Sequence, residues 1–268
     1  MCRENWMPEY IEKLEDENIS FFDVVQFIKQ HMPRKLYSYR RINDYWRENI
    51  FKGCVHLTSA SEFNDPFDCF PTIDFIKDTG TISKAYREYS KSTKPEYREA
   101  KKEIDKVVRE LLGKNQRDTL VSCFTEKKDS ILMWSYYTEN HKGFCIEYDT
   151  AKAEIFHQQV LPVIYDDNRY NAIRLLETQN NNIILNPYVY KAKCWKHEKE
   201  WRILSTHCEE IHPNDNVYLK EAITGVYLGA KIDKDIEEEI KNWGKTEKIP
   251  IYKMELDNQK YILNSKCL

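Results

Sequence analysis

Apolar positions recur at helical intervals over the first thirty residues and then alternate over most of the chain. Tyr10 and Leu14 stand one turn apart, Phe21, Val24, Val25 and Ile28 continue the helical spacing, and Pro33 stops it. Ser20 with Asp23 supplies a cap for the second helix, and Ile19 can staple onto Val24. These signals predict an acidic N-terminal helical segment, residues 1–33, packed on the outside of the main domain. From residue 35 the period falls to two. Residues 35–40 read as a strand, Asp44 caps a short helix through Tyr45, Trp46 and Ile50, Gly53 ends it, and residues 54–58 form a second strand. Residues 61–68 make a polar loop fixed by Pro66.

Residues 77–118 differ in kind. Twelve Lys or Arg against eight Asp or Glu leave this stretch at +4, and Ile82, Tyr86, Tyr89, Ile104, Val107, Val108, Leu111 and Leu112 keep helical spacing. Two amphipathic helices, broken near Pro95 and closed at Gly113, are expected as an insertion: a solvated hairpin, or a basic lid for an anionic partner. Beyond it, strands are predicted over 119–124, 143–149, 159–165, 200–204, 222–228 and 249–256. Helices are predicted over 130–138, 169–179, 188–195 and 234–243, with a loop at 180–182. The expected fold is α+β: one domain over residues 34–268 around a mixed, mainly antiparallel sheet, because most connections are too short for parallel crossovers.

Composition narrows the chemistry. The 268 residues carry only seven glycines, and no two stand in a G-x-G-x-x-G or G-x-x-x-x-G-K array, which excludes a Rossmann turn and a Walker phosphate loop. Eighteen tyrosines raise the aromatic share to 13% and supply flat faces with a hydrogen-bonding handle. Net charge of −3 gives no global attraction to nucleic acid or anionic membrane. The first twelve residues lack an apolar core of the signal-peptide kind, and no apolar run is long enough to span a bilayer. A cytoplasmic protein is therefore expected, with its eight cysteines as thiols without disulfide partners. None of them forms a C-x-x-C pair, so no metal is expected.

Four clusters concentrate candidate chemistry. Tyr37, Tyr39, Arg40 and Arg41 place an arginine at a strand end, where it can bind a phosphate or make a surface ion pair. Ser59, Ser61, Asn64, Asp65 and Asp68 crowd one loop, more polar groups than turn chemistry absorbs. Trp134 and Tyr137 precede His141, a candidate acid–base group or a structural hydrogen-bonding residue, and the two rings serve either as core or as a ligand platform. Glu198 and Glu200 share one face of an extended chain, where a carboxylate can stabilise developing positive charge or simply pair with Arg202 or Lys199. Asp65, Asp68 and Glu200 are the carboxylates a metal-dependent nuclease would have to assemble.

In order, these stretches resemble a bacterial family known as domain of unknown function 2971. The resemblance rests on residues 36–40 (Leu-Tyr-Ser-Tyr-Arg), 59–68 (Ser-Ala-Ser-Glu-Phe-Asn-Asp-Pro-Phe-Asp), 123–124, 133–137 (Met-Trp-Ser-Tyr-Tyr), 141–146 and 195–203. A remoter resemblance links the strand, short helix, glycine and strand of residues 36–58, with the late Glu200, to ADP-ribosyltransferase-like domains. It implies an enzyme that cleaves NAD and transfers ADP-ribose to a protein or nucleic-acid acceptor. Tyr39 or Arg40 would hold the diphosphate or ribose, Thr58, Ser59 or Ser61 the nicotinamide pocket, and Glu200 would be the catalytic carboxylate, with Glu198 competing for that role. The histidine usual in the first motif is replaced by Ser38 or Tyr39. Two other classes stay open: a non-catalytic nucleotide- or nucleic-acid-binding regulatory module, and a metal-dependent nuclease. The transferase requires Arg40, Ser59, Ser61 and Glu200 to line one pocket.

Overall fold

The computed structural model describes residues 3–16, 18–75, 80–173, 185–206 and 216–268. Helices α1 (Arg3–Glu15) and α2 (Phe21–His31) open the chain, and the Ser20 hydroxyl accepts from the Asp23 amide as the expected cap. They are not peripheral. Trp6, Tyr10, Leu14, Val24 and Ile28 are buried in the main core beside Trp201 and Phe124. Arg3 donates to the carbonyl oxygens of Val163 and Glu200, both at 2.8 Å, so the first turn of the chain is tied to the sheet.

Strand β1 (Lys35–Arg40), helix α3 (Trp46–Phe51), and the short strands β2 (Cys54–Val55) and β3 (Thr58–Ser59) follow in the expected order. Helices α4 (Thr81–Lys91) and α5 (Pro95–Asp118) form the inserted hairpin. Pro95 breaks the pair as expected, but α5 runs through Gly113 to Asp118, because one interior glycine costs a helix only about 1 kcal/mol. Then come β4 (Thr119–Thr125), α6 (Ile131–Tyr136), β5 (Phe144–Asp149), β6 (Val160–Pro162), β7 (Ile164–Asp166), α7 (Asn186–Val189), β8 (Tyr190–Ala192) and β9 (Glu200–Thr206). The chain closes with β10 (Val217–Tyr218), β11 (Ile223–Leu228), α8 (Lys234–Glu247), β12 (Ile251–Leu256) and β13 (Leu263–Cys267). The helix expected over 188–195 is instead α7, strand β8 and a 3-10 turn at Lys193–Glu198. The helix expected over 169–179 falls mostly, and the loop at 180–182 wholly, outside the described residues.

The main sheet runs β13-β12-β11-β5-β1-β4-β9-β6, with β3 on the end of β4. Its pairs are antiparallel except β11–β12, which α8 joins as a crossover; the small β7–β8 sheet is also parallel. The α+β class with a mainly antiparallel sheet is thus observed. Alternation sorts the side chains by face. The registers Thr125↔Glu200, Cys123↔Arg202, Tyr37↔Thr125, Tyr39↔Cys145 and Tyr227↔Cys145 put these residues on one side. Leu36, Ser38, Ser122, Phe124, Ile146, Trp201 and Ile203 face the other, where α1 and α2 pack.

Candidate functional site

Strand β9 starts at Glu200, and the 3-10 turn before it ends at Glu198. Lys199 between them is left-handed (φ 46°), a backbone state that costs a non-glycine residue about 1–2 kcal/mol and here sends both glutamate side chains inward. Asp68 arrives from the loop ahead of α4 and is followed by Cys69, also left-handed (φ 55°). Lys191, the middle residue of β8, reaches all three carboxylates: Glu198 at 2.6 Å, Glu200 at 2.8 Å and Asp68 at 3.4 Å. Arg202 completes the centre, gripping Glu200 through Nε at 2.7 Å and Nη2 at 3.2 Å, and Asp68 through Nη2 at 2.7 Å.

These five side chains are buried, Arg202 completely. Three carboxylates against two cations leave the centre at −1. Burial alone would raise the Glu200 carboxyl; Arg202 and Lys191 outweigh it and hold the group well below the usual carboxylate range. The Lys191 ammonium is likewise favoured: burial lowers it, but Glu200, Asp68 and Glu198 raise it further. At the edge of the centre the Tyr137 hydroxyl donates to Glu198 at 2.6 Å. Burial and the adjacent Glu198 push that phenol up, so it stays protonated. The Lys191 ammonium also lies 5.1 Å from the Trp195 ring centroid, and the Trp195 indole donates to Asp65 at 2.8 Å. Tyr136, exposed, packs edge-on against Trp195. Lys191 also lines an adjoining cleft of about 260 Å³ with Phe67, Phe70, Arg169, Tyr170 and Tyr190.

Of the residues singled out in the sequence, Glu198, Glu200 and Tyr137 therefore meet, together with Asp68. The others lie elsewhere. Arg40 donates to the Ser122 hydroxyl, on the sheet face opposite Glu200. Ser59 sits against Leu120, five residues along β4 from the partner of Glu200, a separation of about 17 Å at strand rise. It bonds Ser61 at 2.7 Å and the Arg117 carbonyl at 3.1 Å. Asn64 is exposed on the loop. Tyr39 and Trp134 pack edge to face inside the second core with Met133 and Tyr227. His141 stacks on Trp134 and lies 3.3 Å from the Ser135 hydroxyl, while burial and Lys231 push its imidazolium down. The convergence of Arg40, Ser59 and Ser61 with Glu200 that the transferase geometry calls for is not what these residues form. Asp68 and Glu200 do converge, on the Lys191 ammonium and the Arg202 guanidinium, while Asp65 turns to Trp195. The α4–α5 hairpin packs its Val108, Ile104 and Leu112 on Phe75 and Ile173 as a separate small core.

Lys191 is the residue that sequence reasoning missed. A helix expected over 188–195 gave it no face, and in strand β8, whose three residues are too few to set a period, Lys191 is buried between the half-buried Tyr190 and Ala192.

Residues 133–203 match the model of a family described as "Protein of unknown function (DUF2971)", in keeping with the resemblance read from the motifs. The matched span holds Tyr137, Lys191, Glu198, Glu200 and Arg202. No curated protein and no solved structure matches the chain. Among the described residues no helix is long and apolar enough to cross a membrane, and the six described cysteines are free thiols.

Proposed function

We propose that the centre around Glu198 is the active site of an enzyme that cleaves the N-glycosidic bond of NAD and passes the ADP-ribosyl group to an acceptor. The observation that carries this reading is a buried centre of three carboxylates against two cations, in which Glu198 accepts from a phenol beside aromatic rings. Such a centre favours a flat cation, and the pyridinium of NAD is one. As nicotinamide departs with the bonding pair, the positive charge passes to the ribose, where a fixed negative charge stabilises it. Tyr137 stands where a ribose hydroxyl would donate to Glu198, so substrate binding exchanges one hydroxyl for another. Glu198 then takes the proton of the attacking acceptor. Lys191 and Arg202 hold the carboxylates in place. Arg40, Tyr39, Ser59 and Ser61 have no part in it, so the reading rests on the Glu198 centre alone and departs from the pocket that the ADP-ribosyltransferase resemblance implies, in which Arg40, Ser59 and Ser61 line one cleft with Glu200.

A buried ion cluster adds little stability over a well-packed apolar core, and two left-handed non-glycine residues add cost, which favours a functional over a purely structural role. In the adjoining cleft the Arg169 guanidinium lies over Phe67 and Phe70 and donates to the Phe70 and Pro71 carbonyls, which fixes a positive charge where the diphosphate of the dinucleotide would lie. Free thiols are in keeping with a cytoplasmic setting. The test is incubation with NAD and candidate protein and nucleic-acid acceptors, with nicotinamide followed by mass spectrometry. Release by the wild type, its loss in Glu198→Gln and its retention in Tyr137→Phe support the reading; no release, with no thermal shift on adding NAD, overturns it.

A further inference from the structure

We propose that Glu48, Cys54 and His56 form a zinc site with three protein ligands and a fourth position open to water. Gly53 takes a left-handed turn (φ 65°) that folds β2 back against α3, and the Asn49 side-chain amide pins the Cys54 carbonyl at 2.9 Å. Cys54 and His56 are two apart on extended chain and so project to one side, and the turn brings Glu48 across to meet them. One ligand atom from each residue lies within 4.8 Å of the other two. The Cys54 Sγ and His56 Nε2 are 3.8 Å apart. Tetrahedral zinc with ordinary Zn–S and Zn–N lengths sets these atoms about 3.6 Å apart, so two ligands already stand at nearly the required separation.

The donor set selects the ion. Thiolate and imidazole suit zinc and disfavour magnesium or calcium, and a carboxylate is a common third zinc ligand. Tyr45 packs its ring edge-on to His56 at 5.2 Å and steadies the imidazole. Lys52 now holds Glu48 at 2.9 Å, but this pair is exposed and is given up at small cost. The absence of C-x-x-C pairs points away from zinc in the sequence; in the fold a C-x-H pair gains its third ligand from the preceding helix. The site is independent of the Glu198 reading, since none of its residues belongs to that centre.

The experiment titrates the full-length, chelator-stripped protein with Zn²⁺ against a chromophoric chelator, and separately with Co²⁺ to read the thiolate-to-metal absorption. One equivalent of tightly bound zinc per chain is expected. Affinity should fall by about 100-fold in His56→Asn, about tenfold in Glu48→Gln, and rise in Lys52→Met. Cys54→Ser should abolish the cobalt charge-transfer band; because Cys54 is buried, the half-buried His56 variant guards against a folding defect. Less than one equivalent at saturating zinc, or affinity in His56→Asn within about twofold of wild type, overturns the site.

Discussion

Lys199 shows how much a single backbone angle decides here. Its left-handed φ of 46° turns Glu198 and Glu200 to the same ammonium, and the fully buried Arg202 then answers the charge that this concentrates. Removing the guanidinium strands Glu200 and Asp68 in the interior. Arg202→Met is therefore expected to cost about 3–5 kcal/mol in urea unfolding, whereas Arg47→Met, which breaks an exposed pair with Glu239, should leave the unfolding midpoint nearly unchanged. Comparable losses in the two variants would contradict the picture of a desolvated centre. Glycine accepts the left-handed state without strain, so Lys199→Gly should raise stability by about 0.5–1 kcal/mol, and an unfolding midpoint below wild type would count against stored strain at that residue.

Among the elements, those that bury one face were legible. Strands β1, β4, β5 and β11 and helices α1, α2 and α8 all carry periodic apolar positions, and the structure places them close to their expected bounds. Strand β8 was missed because three residues are too few to establish a period. Strand β13 was missed because it is a sheet edge, with only Leu263 buried. The site divides along the same line. Glu198, Glu200 and Asp68 stood out as polar residues beside strands, but Arg40 was grouped with them because alternation tells which residues of a strand share a face and not which face two separate strands share. Lys191 meets Asp68 across 123 positions, a contact that no local pattern encodes. One close approach tests the packing of these elements. A Cβ at Gly143 would overlap the Arg40 carbonyl oxygen where β5 meets the end of β1. Gly143→Ala should cost about 1–3 kcal/mol and speed amide exchange at Phe144, and unchanged exchange there would contradict the packing.

For the molecule as a whole, the N-terminal helices and the sheet share one core, and buried carboxylates set its response to acid. Glu200 is held below its unfolded value, and so are Glu147, where burial is outweighed by bonds from Lys35, Tyr227 and Thr224, and Asp149, where burial is outweighed by the Ala151 amide and Arg34. Groups lowered on folding contribute fully above their unfolded values and lose that contribution as pH falls through the folded ones. Stability should begin to fall below about pH 7, where the unfolded chain takes up protons that the partly buried His141 and His157 resist, and fall more steeply below about pH 5, less so in Glu200→Gln, with the midpoint of urea unfolding as the readout. A midpoint that stays level to about pH 3 would mean that folding does not lower these carboxylates. Whether Glu198 is the catalytic carboxylate is decided by nicotinamide release from NAD by wild type and Glu198→Gln, with NAD affinity and thermal stability measured on both. Release by the wild type is expected, with at least about a 100-fold loss in the variant, the fold retained and NAD bound more weakly once that negative charge is gone. Equal release by the two proteins, or none by either in the absence of NAD binding, would contradict that role for Glu198.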